Sequence, residues 1–251
     1  MMTVLKKLYG KSKIWFSVLW IIAYCVLMSA GDALSARIGI DKSVTLAMGV
    51  LLSAILLLFL HKNGLLASYG LCAPRISARS MLYYVPVVVM LTANLRYGVT
   101  LRYGVPETVL YMLTMLCVGF LEEVIFRGLL FQAMRGDSEK AAVIVSSVTF
   151  GIGHILNLLN GSGAELIPNL LQVVYATAAG FMFVMMYVRS GSLLVSIAAH
   201  GIFNALSVFA DDAGATTGMR IGTALLLTGI TGAYAVYLAA AVKKQALQKP
   251  F

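Results

Sequence analysis

Charged side chains are scarce in this chain: Asp, Glu, Lys and Arg together make up 12% of its 251 residues, about half the roughly 25% that a soluble domain carries. A protein whose whole surface faces water is thereby excluded. Cysteine is nearly absent as well. Cys25, Cys72 and Cys117 are odd in number, far apart and without a CxxC pair, so they imply neither a disulfide framework nor a cysteine metal site and are expected to be inert apolar residues. Acidic residues are the rarer sign, ten against nineteen basic ones, for a net charge of +9. The Lys and Arg residues fall between apolar runs and build no basic face with interleaved aromatics, which argues against nucleic acid as a partner. Also missing are a GxSxG elbow, an HExxH helix and a Ser/His/Asp order, so serine and zincin chemistries lack their usual support.

What fills the chain is apolar sequence, 60% of all residues. The runs are continuous and about 17 to 25 residues long, where barrel strands would alternate over about 10, so the fold class is all-α and polytopic. An apolar run from Ile14 to Ala30 follows Lys6, Lys7, Lys11 and Lys13. Met28-Ser29-Ala30 weakly matches a signal-peptide cleavage site, but the run is long enough to span and is read as the first membrane helix. Further spans are expected at about 43–60, 81–95, 109–134, 141–157, 168–189, 192–210 and 219–242. Pro74, Pro106, Pro168 and Pro250 mark boundaries, whereas Pro86 falls inside the third run and predicts a kink there. About eight helices put both termini on one side, in a single integral membrane domain over residues 1–251.

The basic residues then orient it. On the side of the termini lie the four N-terminal lysines, Lys62, Arg75, Arg79, Arg135, Lys140, Arg189, Lys243, Lys244 and Lys249, 13 in all; the opposite side holds only five, Arg37, Lys42, Arg96, Arg102 and Arg220. The positive-inside rule places both termini in the cytoplasm of a multi-pass cell-membrane protein, with a bacterial inner membrane the best fit.

Ionisable groups at membrane depth are few: Glu122, Glu123, Arg127, His154 and His200, joined by the uncharged Asn204. A charge near the bilayer centre costs about 2.5 to 3.5 kcal/mol even on the lenient insertion scale, so each needs a partner or a function. His61 lies at a helix end and reads as a solvated flank residue. At 1.5 Å per residue, Glu122 lies about 18 Å, His154 about 20 Å and Asn204 about 18 Å from the termini side, with His200 at about 12 Å. Three helices thus deliver polar groups to nearly one level. Glu123 and Arg127 are i and i+4 and can pair as a brace, while Glu122 points about 100° away and is left free. His200 and Asn204 are again i and i+4. Gly151, Gly153 and Gly201 beside the histidines suit a close approach of helices. The bland reading is helix glue, with the network serving a non-enzymatic scaffold or immunity protein. The chemical reading is that an unpaired carboxylate, two imidazoles and a carboxamide are the parts for activating water and stabilising an oxyanion.

At these residues the sequence resembles the CAAX-protease and bacteriocin-processing (Abi) family of intramembrane proteases, which includes the type II CAAX prenyl endopeptidases. The family pattern EExxxR, FxxxH, HxxxN stands here as Glu122-Glu123-Val-Ile-Phe-Arg127, Phe150-Gly-Ile-Gly-His154 and His200-Gly-Ile-Phe-Asn204. The resemblance implies a conical polar cavity open toward the cytoplasm, a catalytic core over about 109–210, and glutamate-dependent hydrolysis of a peptide bond in a membrane-embedded or prenylated protein or peptide. By similarity, Glu122 and His154 activate the water, His200 and Asn204 bind the oxyanion, and Glu123, Arg127 and Phe150 support them. No cofactor is required in that reading; a zinc ion held by Glu122, His154 and His200 stays open as the alternative.

Overall fold

The computed structural model describes residues 2–158 and 165–243; Lys244, Lys249 and Pro250 lie outside them. The fold is all-α. A short helix α1 (Met2–Lys11) turns at Ser12 into α2 (Lys13–Ile38), with the Ser12 side chain accepting the Trp15 N–H. Helix α2 runs unbroken through Met28-Ser29-Ala30 and well past the expected end at Ala30. Its first strong stop is Gly39, in the left-handed conformation that closes helices (φ +79°). Tyr69 donates to the Tyr9 hydroxyl at 2.8 Å and so ties α1 to the loop after α3 (Ser43–Lys62). Burial pushes the Tyr69 phenol up, so it stays a donor.

The third apolar segment differs from its sequence reading. Pro86 makes no mid-helix kink; it sits in the first turn of α4 (Val85–Thr92), where its missing N–H costs nothing. The break comes just before it. Leu82, Tyr83 and Tyr84 take φ of +50°, +49° and +59°, ending a 3-10 segment over Ala78–Tyr84. Each such residue costs about 1 to 2 kcal/mol. The carbonyls of the preceding turn are held from helix α10 (Thr217–Ala241), where Tyr234 donates to the Met81 carbonyl at 2.7 Å and Tyr237 to that of Ser80 at 3.4 Å.

Helix α5 (Val105–Glu122) passes without a break into a π-helical segment, Glu123–Leu130, and a last α-turn, α6 (Phe131–Met134). The Phe131 N–H reaches back five residues to the Phe126 carbonyl. π-Segments inside helices are rare and concentrate at functional sites. Helix α7 (Glu139–Gly153) ends in a 3-10 turn over His154–Leu158; α8 (Leu166–Ser190) and α9 (Leu194–Leu206, with a 3-10 turn Ser207–Phe209) follow.

Among the described residues, seven helices are long and apolar enough to cross a membrane; the segment Leu194–Phe209 is shorter. At 1.5 Å per residue it reaches about 24 Å against a hydrocarbon core of about 30 Å. It still runs from one set of loops to the other. The Leu193 N–H donates to the Gly70 carbonyl at 2.8 Å, and at the far end Ala210 pairs with Val99, with the Thr100 N–H on the Phe209 carbonyl at 2.9 Å. Eight apolar segments therefore alternate in direction as the sequence suggests, the seventh being the short one.

Two backbone approaches position the site. A Cβ on Gly119 would lie 2.5 Å from the Gly201 nitrogen and 2.6 Å from its Cα, so α5 and α9 cross with backbones touching. A Cβ on Gly151 would meet Thr177 of α8. Gly153, expected to act likewise, has nothing within 4 Å of such a Cβ and borders a cavity instead.

Candidate active site

The brace forms as the spacing predicts. Arg127 Nη1 lies 3.0 Å from Glu123 Oε1, and both side chains are fully buried. The guanidinium is otherwise cradled by rings, 4.0 Å from the centroid of Phe150 and 5.4 Å from that of Phe183. Its Nε and Nη2 meet no hydrogen-bond acceptor among the described residues, so the ion pair and the aromatic faces carry the charge. Phe150 is the hub of the floor. It meets Phe126, His154 and His200 edge to face at centroid distances of 5.5, 5.2 and 5.5 Å. Ser146 of α7 donates to the Phe126 carbonyl at 2.9 Å, pinning the π-segment to α7.

Glu122 is not left free by the brace. Tyr24 of α2 donates to its Oε1 at 2.7 Å, and His200 Nε2 lies 3.3 Å from its Oε2. The same imidazole places Nδ1 3.0 Å from Glu123 Oε1, so His200 bridges the two adjacent carboxylates. Phe183 stacks on its ring at 5.3 Å and 18°. The imidazole thus has one ring nitrogen on each carboxylate, 3.0 Å from Glu123 and 3.3 Å from Glu122. The π-segment and the Gly119–Gly201 crossing together put both Glu side chains within reach of one ring.

His154, Asn204 and Glu122 meet at a cavity of about 380 Å³, as their common depth suggests. His154 Nδ1 lies 3.1 Å from the Phe150 carbonyl, which can only accept, so Nδ1 carries the hydrogen and Nε2 keeps a lone pair. Asn169 of α8 donates to the His154 carbonyl at 2.8 Å and fixes the end of the helix that carries the ring. Asn204 lines both this cavity and a smaller one of about 50 Å³ behind it, where His200 also emerges. Among the described residues no group of three His, Cys, Asp or Glu side chains is arranged to hold a metal ion.

Sequence reasoning missed several members of this site. Tyr24, 98 residues from Glu122, and Phe183 of α8 touch its ionisable groups; Gln172 and Tyr175 line both cavities, and Tyr111 lines the larger. The signal for Tyr24 is a lone hydroxyl in an apolar run, which needs a partner in lipid. His61 ends α3 exposed, as expected. Cys72 and Cys117 stand apart from the site, while Cys25 lines its cavity.

Residues 104–206 match the family model described as type II CAAX prenyl endopeptidase Rce1-like. That segment begins at α5 and ends with α9, and it holds Glu122, Glu123, Arg127, Phe150, His154, His200 and Asn204. No curated protein matches the chain.

Proposed function

Because residues 104–206 match the Rce1-like type II CAAX prenyl endopeptidase family model, we propose that the chain is a glutamate-dependent intramembrane endopeptidase acting on a membrane-associated or lipidated protein or peptide. The observation that carries the reading is one carboxylate, Glu122, lining a cavity that His154 and Asn204 enter from two other helices. Glu122, as carboxylate, takes a proton from a water lodged between it and His154 Nε2. The water oxygen attacks the scissile carbonyl carbon, and the carbonyl π-pair moves to oxygen. The oxyanion accepts hydrogen bonds from the Asn204 amide and from His200 Nε2–H, which turns to it from Glu122. As the C–N bond breaks, Glu122 returns its proton to the departing amine. Glu123 holds Nδ1 of His200 throughout, so the ring pivots about a fixed donor.

The test is cleavage of a membrane peptide by purified protein. General acid–base groups contribute about 10²- to 10⁴-fold, so Glu122→Gln and His154→Ala are each expected to lower kcat by at least about 10²-fold with the protein still folded. Undiminished cleavage by both variants would overturn the proposal. A second reading draws on the bridging geometry of His200: a scaffold or immunity protein could use the same bonds as interhelical glue. In that case Glu122→Gln preserves the cellular phenotype while Arg127→Ala loses folded protein.

A further inference from the structure

Helix α1 carries three different faces. At about 100° per residue, Met2, Leu5 and Tyr9 share one arc of about 60°, and these half-buried positions are the ones that pack against the core. Tyr9 anchors that arc. Its ring meets Phe16, Phe59 and Tyr69 edge to face at 5.4, 5.5 and 6.4 Å. Val4 and Leu8 lie together about 110° round the helix and are exposed, at 58% and 38%. The remaining arc holds Thr3, Lys6, Lys7 and Gly10, all exposed, with Lys11 at its border beside Val4. Trp15, in the first turn of α2, is 68% exposed, and tryptophan concentrates where a membrane meets water. A helix that rests one side on protein, turns an apolar side outward and lines the third with lysines lies flat in the headgroup layer.

Those lysines lack counter-ions within the fold. Among the described residues no carboxylate is within ion-pair distance of Lys6, Lys7 or Lys11, nor of Lys62, which ends α3 three residues beyond Phe59. Residues 1–31 and 42–106 hold no Asp or Glu at all. We infer that α1 gathers anionic phospholipids, with Val4, Leu8 and Trp15 set among the acyl chains and Lys6, Lys7, Lys11 and Lys62 against the headgroup phosphates. A zwitterionic lipid offers the same phosphate with its own cation attached, so a net negative headgroup is the one preferred. Each lysine near such a surface adds about fivefold in affinity, screened over a Debye length of about 10 Å at 0.1 M salt and about 3 Å at 1 M. This binding does not depend on the protease reading.

Trp15 is the reporter. The chain has two tryptophans and Trp20 is buried, so Trp20→Phe in the full-length protein leaves Trp15 alone. The protein is placed in vesicles of phosphatidylglycerol and phosphatidylcholine, equal in amount and alike in both leaflets, with one lipid or the other brominated on its acyl chains. Either direction of insertion then reads the same. From the two quenching curves, phosphatidylglycerol is expected to associate with Trp15 about fivefold more strongly at 0.1 M salt and about equally at 1 M. Adding Lys6→Gln, Lys7→Gln and Lys11→Gln together is expected to remove the preference at low salt, and the corresponding Lys→Arg changes to keep it. If the Gln variant loses quenching by both lipids while the Arg variant keeps it, charge seats the helix, as inferred. Equal quenching by the two lipids before those changes overturns the inference. So does a preference that survives the Gln changes or 1 M salt, or that is lost in the Arg variant. Quenching by neither lipid puts Trp15 in water and overturns the flat seat of α1.

Discussion

Glu122 and Glu123 are neighbours in the chain and opposites in their surroundings. Glu123 is sealed between Arg127 and His200, whereas Glu122 faces a cavity. Removing one partner of a buried ion pair costs about 3 to 5 kcal/mol, because the other charge is left uncompensated. Arg127→Met is therefore expected to lower the thermal midpoint in detergent sharply, and Arg127→Met with Glu123→Gln to recover part of the loss. No recovery would mean that the ring contacts of Arg127, rather than its charge, hold the floor. Tyr24→Phe removes one hydrogen bond to Glu122, and a net loss of about 1 kcal/mol in stability is the most it should cause. If Tyr24 positions the base, kcat falls by about tenfold, the rate equivalent of about 1.4 kcal/mol, with KM unchanged. The i, i+4 brace was legible because both partners lie on one helix. Tyr24 and the double role of His200 were not, since both depend on how separate helices cross.

At the scale of elements, the crossing of α5 over α9 decides whether the carboxylates and the imidazole meet. Gly119→Ala puts a methyl within 2.5 Å of the Gly201 backbone, and overpacking of this kind costs about 1 to 3 kcal/mol. Lower thermal stability and loss of cleavage are expected together; an active, fully stable variant would show that the two helices can part without harm to the site. Helix positions were legible from apolar runs, and the EExxxR, FxxxH and HxxxN spacings placed the polar groups. Boundaries followed less well. The run after Ala30 stays helical until Gly39, and the third run breaks at Leu82–Tyr84 rather than at Pro86. A left-handed turn of Leu and two Tyr has no sequence signature, because nothing in those side chains favours it. The hydroxyls of Tyr234 and Tyr237, some 150 residues away, hold the carbonyls just before it.

At the scale of the whole molecule, the described residues that line the larger cavity lead from Phe126, Phe150 and Glu122 to the ends of α2, α3 and α9. The sequence placed Glu122, His154 and Asn204 at a common depth, but the cavity they share required the packed helices. The cavity is where the matched segment, α5 to α9, meets helices outside it: Tyr24, Asp32 and Asn94 come from α2 and the end of the α4 segment. Helix α9, which delivers His200 and Asn204, also has a mechanical meaning. A membrane-crossing segment about 6 Å shorter than the hydrocarbon around it obliges the lipid to thin or the neighbouring helices to tilt, at fractions of a kcal/mol per Å. The reactive residues would then sit in the thinnest patch of the bilayer, where water and a polar peptide backbone enter at least cost. In proteoliposomes, cleavage should be faster in short-chain than in long-chain phosphatidylcholine of equal fluidity; a rate indifferent to acyl length would show that the surrounding helices absorb the mismatch. The same shortness would make the enzyme a gauge of membrane thickness, most active wherever its host keeps its thinnest lipid.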